Sequence, residues 1–193
     1  MQAYGRVAIE ACEHYQKGSY RNRCYLAGAN GPLRLSLPLE SGKHQQLPIR
    51  EVRTLEPKAW ARPHWASIRS AYGKAPFFEH FAPGLQAFFD GPTRALFENN
   101  LRLIRWILAE LEIAVTIECT STYLPPQPAG FADFRDELRP GKPEGSEFVP
   151  HPYPQVFEDK HGFLPNMSIL DLLFCAGPQA AVILRASLNL PKE

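Results

Sequence analysis

Cations and aromatic rings alternate along residues 12–25, which read "CEHYQKGSYRNRCY". The stretch carries Lys17, Arg21 and Arg23 among three tyrosines, and Asn22 lies between the two arginines. Arginine offers a planar fork of donors that matches a carboxylate or phosphate, and lysine supplies a point charge. If the segment is extended, side-chain alternation places the three cations along one edge. The pattern predicts a site that holds an anion.

The spacing slightly favours a second interpretation, in which the same cations form ion pairs with carboxylates of the protein. Glu10 and Glu13 lie close by in the chain, and structural ion pairs account for many such clusters. From the residues alone, both interpretations stay open.

His64 is the candidate general base, because histidine changes protonation state near neutral pH. It begins the segment "HWASIRSAY", where a histidine beside a tryptophan is more often a packing residue. His44 and His161 lie in polar segments, which favours surface positions. Cys24 follows Arg23, whose charge would favour a thiolate, but a free cysteine at a strand edge is more often packed.

Several common classes of site have no motif in this chain. It contains no glycine-rich phosphate loop of the GxGxxG or GxxxxGK[ST] type and no GxSxG nucleophile elbow. Its four cysteines have no metal-ligand spacing. We therefore expect neither a metal nor a cofactor.

The elements that must position these residues alternate between strands and helices. Short β-branched or alternating runs predict strands at 7–11, 33–39, 47–54 and 115–119. Helical spacing follows between residues 60 and 113, with an interruption at Pro83 and a helix that Asp90 caps and Pro92 opens. We expect an α/β fold, a single domain over residues 1–193 with a short mixed sheet flanked by helices.

The last third of the chain contains a long loop and then two helices. Residues 124–155 are rich in Pro and Gly, which predicts a long loop. Ser168 and Asp171 form a capping-box pattern before an apolar helix that ends at Gly177, and Pro178 opens the next helix.

Bulk properties restrict the partners. With 193 residues, 45% hydrophobic and 21% charged, the composition is that of a globular protein. The net charge of +1 gives no global attraction to nucleic acid or a membrane. The first residues do not resemble a signal peptide, and no apolar run approaches the ~18 residues of a membrane span. We expect a cytoplasmic protein with a small-molecule partner; exposed aromatics and strand edges leave a homo-oligomer open.

Three longer segments resemble the WbqC-like family. They are "YQKGSYRNR", "HWASIRSAYGKAPFF" and "VFEDKHGFLPNMSILDLLFCAGPQA", in that order. Members of this family usually begin earlier, with a strand and a Gln-Pro loop, so we expect this chain to lack the usual N-terminal segment. Cys24 has no counterpart in the family, and Cys175 stands where a polar residue, often Asn, is usual.

The resemblance implies a function and a set of residues. It suggests transfer of an aminoacyl or acyl group to a nucleotide-linked amino sugar in surface polysaccharide (O-antigen) biosynthesis. The alternative is a non-catalytic module that binds a sugar nucleotide or a protein. The family pattern and the basic stretch together nominate His64 as the catalytic base. The residues expected to bind substrate are Lys17, Arg21, Asn22, Arg23, Tyr72 and Asp171.

Overall fold

Helices and two small sheets make up the computed structural model, which describes residues 1–40, 47–135, 137, 140 and 148–188. The predicted α/β class, with both parallel and antiparallel pairing, is confirmed. The strands form two separate two-stranded sheets rather than one mixed sheet.

A parallel sheet joins the beginning of the chain to its middle. Strand β1 (Arg6–Ile9) pairs with strand β4 (Thr116–Cys119) in a register that runs from Arg6 opposite Thr116 to Ile9 opposite Cys119. Both strands were predicted, and their β-branched residues suit the pleated surface. Because the strands are parallel, their carboxyl ends lie side by side at residues 10 and 120.

The second sheet is a hairpin of β2 (Arg23–Gly28) and β3 (Gly31–Ser36). Its turn uses a left-handed glycine, Gly31 with φ +96°. Residues 12–22 before it do not form one extended strand; they contain bends, a single bridge at His14, a turn at 17–18 and a 3-10 helix, Tyr20–Asn22, that Ser19 caps. The extended edge on which three cations would line up is therefore not formed.

The prediction of a strand at 47–54 is wrong. A 3-10 helix, Ile49–Glu51, occupies the segment, and single bridges link it to neighbouring segments. The bridges pair single residues, such as Pro48 with His14 and Thr54 with Leu39, and do not extend into a ladder. Ile49 and Val52 are buried and lie three residues apart, which is the period of a 3-10 helix and not of a strand.

Three long helices follow: α1 (Ala61–Tyr72), α2 (Phe78–Asp90) and α3 (Leu96–Glu110). The predicted interruption at Pro83 is wrong, because α2 continues through it with only the proline's own N–H lost. The predicted start of α3 is also wrong. Asp90 ends α2, and α3 begins after Ala95.

The carboxyl-terminal part contains α4 (Glu158–His161), α5 (Ile169–Ala176) and α6 (Ala180–Ala186). The predicted cap of α5 is confirmed, because the Ser168 hydroxyl accepts a hydrogen bond from the Leu170 N–H. The predicted end at Gly177 is confirmed too. Its φ is +53°, and a Cβ there would lie 2.5 Å from the Phe77 ring, so only glycine fits without rearrangement.

The segment Ile169–Ala186 has the length and composition of a membrane span, with a mean hydropathy of 1.5. The prediction that no apolar run approaches the length of a membrane span is therefore wrong for this segment, by length and composition. Half of the segment is buried inside the protein, and a 3-10 turn at Gly177–Gln179 divides it. Helices in the core of a globular protein can have the same length and composition as a membrane span. Here α5 and α6 pack into the core.

The core has two parts. The larger one packs α1, α2 and α5 against the hairpin and includes Tyr72, Leu85, Leu173 and Phe174. The smaller one lies beside the parallel sheet and is formed by Ala11, Tyr15, Ile49, Val52, Leu96, Phe97 and Leu101. Each part supports one of the two clefts described below.

Candidate functional site

A cleft of about 660 Å³ opens beyond the carboxyl ends of β1 and β4, where ligands commonly bind in sheets that contain parallel strands. One wall is the segment that follows β1, and the other is the loop that follows β4. We call it the acidic cleft; its lining residues are Cys12, Glu13, His14, Tyr15, Gln16, Tyr123, Pro126, Gln127, Asp133, Arg135 and Glu137.

Most of the charges on its walls are paired within the protein. Among the described lining residues, three carry a carboxylate, Glu13, Asp133 and Glu137, and one carries a guanidinium, Arg135. Arg21 pairs with Glu13 and Arg135 with Asp133, so Glu137 is the lining carboxylate that stays outside the ion pairs of the described residues. An unpaired carboxylate on a concave surface favours a cationic group, such as an amine, at its end of the cleft.

Glu10 connects the segment after β1 to the loop after β4. Its carboxylate accepts hydrogen bonds from the Thr120 hydroxyl (2.6 Å), the Cys12 N–H (2.8 Å) and the Leu124 N–H (2.9 Å). Burial opposes its charge, but these bonds and the charge of Arg135, 3.5 Å away, outweigh that effect and lower the pKa of Glu10. The carboxylate thus stays ionised and fixes both strand ends.

Arg135 fixes the second wall. Its guanidinium makes a two-bond contact with Asp133 (2.8 and 2.5 Å) and donates to the carbonyls of Leu124 (2.8 Å) and Pro125 (2.9 Å). It also lies over the Tyr123 ring, 5.5 Å from the centroid. The hydrogen bonds from Arg135 hold the pKa of Asp133 far below its usual value. These contacts order the start of the Pro-rich loop.

Arg21 is engaged within the chain. Its guanidinium makes a two-bond contact with Glu13 (2.6 and 2.5 Å), and the Asn100 side chain donates to its carbonyl (2.7 Å). For this residue the structure has the ion pair that the spacing alone had favoured. Its predicted role in binding substrate stays a prediction.

Asn22 and Arg23 follow the wall of the acidic cleft in the chain but are not among its described lining residues. The Asn22 amide donates to the Leu37 carbonyl (2.9 Å), while its Oδ1 and the Arg23 Nε are buried without a hydrogen-bond partner. Burial raises the pKa of Tyr15, which lines the cleft, and the nearby charges of Arg23 and Arg21 oppose the rise. Lys17 is exposed in a turn.

His64 lies outside the acidic cleft, half-buried on α1. Its ring packs 5.7 Å from the Trp60 ring. Burial lowers the pKa of His64, and a hydrogen bond to the main chain of Ser36, the β3 partner of Arg23, opposes the shift. The histidine on the cleft wall is His14, which the sequence analysis missed. Its position next to Glu13, just past the end of a strand, was the available signal.

The structure brings Tyr72 and Asp171 together in the core, where both are fully buried. Asp171 Oδ2 accepts hydrogen bonds from the Tyr153 hydroxyl and the Gln155 amide, both at 2.7 Å. The Tyr72 hydroxyl lies against the same carboxylate and accepts the Ala27 N–H (2.9 Å). Burial raises the pKa of Asp171. Neither residue reaches the surface in this structure.

Asp171 points inward because its expected capping partner is occupied. In a capping box its carboxylate would accept the Ser168 N–H. That N–H instead donates to the Tyr25 carbonyl on β2 (2.6 Å). The predicted capping box is thus half formed, and the carboxylate is available to the core.

A second cleft, of about 280 Å³, lies between β2, the segment 148–153 and helices α5 and α6. We call it the aromatic cleft, after Tyr20, Tyr25, Phe148, Tyr153 and Phe163 in its walls; Glu137 lines both clefts, so they adjoin. Cys24 also lines it. Burial raises the pKa of Cys24 to about 11, which disfavours a thiolate nucleophile.

No group of three or more His, Cys, Asp or Glu side chains suited to a metal ion occurs in the part of the chain that the structure describes. The four cysteines are free.

The fold and the acidic cleft define an α/β protein with a cleft at the carboxyl ends of a parallel strand pair. The chain belongs to the WbqC-like protein family, whose model matches residues 1–130. The matched range includes two of the three segments that carried the resemblance, and the helix that begins after Ser168 lies beyond it. No curated protein and no solved structure matches this chain.

Proposed function

We propose that the protein is a group transferase that moves an acyl or aminoacyl group onto the amine of a nucleotide-linked amino sugar in surface polysaccharide biosynthesis. Membership of the WbqC-like family supports the general setting. The observation that carries the chemistry is the acidic cleft, which combines three carboxylates with a histidine at the end of a parallel strand pair.

The charge of the cleft suits an amino-sugar acceptor. An amino sugar enters as an ammonium ion, and Glu137, the lining carboxylate that is not engaged by Arg21 or Arg135, attracts that charge. The flat faces of Tyr15 and Tyr123 add apolar surface for a sugar ring. The cleft thus offers both parts of the recognition that this acceptor needs.

His14 is the base that this geometry favours. An ammonium cannot attack, so the wall histidine removes a proton from the nitrogen. The amine nitrogen then bonds to the donor's carbonyl carbon, the bond from that carbon to the carrier sulfur or oxygen breaks, and the carrier leaves with a proton. The products are an amide and a free thiol or alcohol, and the reaction needs no oxidant or reductant.

The nucleotide's phosphates require cations near the cleft. Lys17 is exposed in the turn after the cleft wall, and Arg23 lies near enough to Tyr15 of that wall for its charge to act there. The partnerless Asn22 Oδ1 and Arg23 Nε are buried, so neither atom is open to a ligand in this structure. Arg21 contributes less, because Glu13 already occupies its guanidinium.

The test pairs two histidine variants with a product assay. The purified chain is incubated with acyl or aminoacyl thioesters and uridine diphosphate amino sugars, and amide products are measured by mass spectrometry. We expect His14→Gln to lower turnover at least a hundredfold, in the range of general-base catalysis, with acceptor binding retained. Thermal shift measures that binding, because a specific ligand stabilises the fold by mass action.

His64→Gln is the matched comparison, since His64 is the base predicted from the sequence. Loss of turnover in His64→Gln with normal turnover in His14→Gln would reassign the base to His64. Amino-sugar binding without product from any donor would instead identify a binding module and contradict the transferase.

A further inference from the structure

The aromatic cleft has a lining unlike that of the acidic cleft. Its walls are rings from β2 and from the segments before α5, together with aliphatic side chains of α5 and α6 such as Ile169, Leu172, Ile183 and Leu184. The surface is concave and mostly apolar, as small-molecule sites usually are.

The polar groups of this cleft are largely engaged elsewhere in the protein. The Tyr153 hydroxyl donates to Asp171 (2.7 Å), and the Ser187 hydroxyl donates to the Ile183 carbonyl and accepts the His151 N–H (both 2.9 Å). The Ser168 hydroxyl caps α5. A ligand here finds few hydrogen-bond partners and would bind through apolar contact.

Charge restricts the ligand further. Within the described part of the chain, Glu137 is the one Asp, Glu, Lys or Arg that lines this cleft, and it also lines the acidic cleft. A nucleobase placed here would bring its phosphates towards that carboxylate, which repels them. An uncharged chain meets no such penalty.

We propose that the aromatic cleft binds the hydrocarbon chain of an acyl donor, with the donor's carbonyl at the boundary that Glu137 shares with the acidic cleft. The inference rests on the proposed transferase function and assigns its donor as an acyl thioester with an apolar chain. The acceptor amine and the donor carbonyl then approach each other from adjoining clefts.

Binding of defined probes tests this assignment without any turnover. The full chain is titrated with S-octanoyl-N-acetylcysteamine, S-acetyl-N-acetylcysteamine and uridine, and affinities are measured by calorimetry. Because each methylene that becomes buried strengthens binding about fourfold, we expect the octanoyl probe to bind at least tenfold more tightly than the acetyl probe. Equal affinities for the two thioesters, or tighter binding of uridine, would overturn the assignment.

Two variants of α6 locate the binding. Leu184→Trp fills the aromatic cleft and should weaken octanoyl binding at least tenfold. Val182→Trp is the matched control, because Val182 is 68% exposed on the same helix and outside the cleft, and we expect less than a twofold change. Tyr20→Ala removes a wall residue that is 41% exposed, and should weaken binding severalfold even if Leu184→Trp fails to fold. Unchanged affinity in Tyr20→Ala and in a folded Leu184→Trp would refute the site.

The outcomes separate this inference from the proposed function. In one outcome, the octanoyl probe binds, Leu184→Trp abolishes that binding, and the unmodified protein forms no amide from any amine. This result supports the acyl site and contradicts the transferase function. In the other outcome, the protein forms the amide, and the KM for the acyl donor is the same in Leu184→Trp as in the unmodified protein. This result supports the transferase function and contradicts the acyl site.

Discussion

Two buried carboxylates, Glu10 and Asp171, show how the same chemical group serves two regions in opposite ways. Glu10 is 8% exposed and Asp171 is fully buried. Glu10 receives a hydroxyl and two main-chain N–H groups and lies near Arg135, so its pKa is lowered. Asp171 accepts its hydrogen bonds from uncharged side chains, so burial prevails and raises its pKa.

The difference follows from where each carboxylate lies. Glu10 holds the ends of two strands and a loop, where unpaired N–H groups need a charged acceptor. Asp171 holds a tyrosine, a glutamine and the segment before α5 inside the apolar core, where a charge is costly. Glu10 thus supports the acidic cleft, and Asp171 supports the aromatic cleft through Tyr153, which lines it.

Removal of the Asp171 carboxylate should have the largest effect. Asp171→Ala leaves the Tyr153 hydroxyl and the Gln155 amide buried without an acceptor, so we expect a loss of about 3 to 4 kcal/mol in the free energy of unfolding. Urea denaturation measures this loss. Asp171→Asn keeps one acceptor oxygen and should lose less than about 1 kcal/mol. Equal losses in both variants would show that the carboxylate's acceptor role is not what matters.

Removal of the Glu10 carboxylate should have the next largest effect. Glu10→Ala leaves the N–H groups of Cys12 and Leu124 without their acceptor, and we expect a loss of about 2 to 3 kcal/mol by the same measurement. Faster proteolysis in residues 120–135 should accompany it, because Arg135 loses its second carboxylate. Glu118→Ala is the control; its ion pair with Arg6 is exposed, so it should change stability by less than about 1 kcal/mol.

A smaller loss of stability is expected at Tyr72, whose hydroxyl lies against the Asp171 carboxylate. Tyr72→Phe removes the hydroxyl that accepts the buried Ala27 N–H, and should cost about 1 to 2 kcal/mol. Hydrogen exchange of the Ala27 amide should quicken in the variant. An unchanged exchange rate would indicate that this N–H has another acceptor.

The two carboxylates should change the stability of the protein with pH in opposite directions. At any single pH, this effect should be smaller than the losses expected from the substitutions above. The pKa of Asp171 is raised in the fold, so stability falls as pH rises from the usual carboxylate range towards the folded value. The pKa of Glu10 is lowered, so its contribution is lost as pH falls through the folded value.

Unfolding curves between pH 3 and about pH 8 separate the two contributions. Asp171→Asn should remove the decline on the alkaline side, and Glu10→Gln should reduce the decline on the acid side. The same change of slope in both variants would contradict the opposite shifts.

Local signals in the sequence identified much of the fold. β-branched runs predicted β1 and β4, and the Ser168 cap and Gly177 predicted both ends of α5, because each depends on residues next to it in the chain. The prediction of a strand at 47–54 was wrong because the buried residues Ile49 and Val52, three positions apart, pack beside α3 from a 3-10 helix. The segment pairs with its neighbours only through single bridges, such as Pro48 with His14, so the apolar pattern recorded burial and not a ladder.

The candidate site was less predictable, because its walls come from distant parts of the chain. The sequence drew attention to residues 12–25, and that stretch does form one wall of the acidic cleft. Asp133, Arg135 and Tyr123 on the other wall lie more than a hundred residues away. His64 was selected from its motif, whereas His14 reaches the cleft wall through the path of the chain after β1 and its bridge to Pro48.

The sequence by itself determined the α/β class, the WbqC-like family, the strands of the parallel pair and the boundaries of α5. Those features depend on short-range patterns of polarity, caps and turns. Only the tertiary structure decided that Asp171 faces the core, because the Tyr25 carbonyl takes the Ser168 N–H that would otherwise have held it. It also decided the charge of each cleft, since that charge is the sum over side chains that only folding brings together.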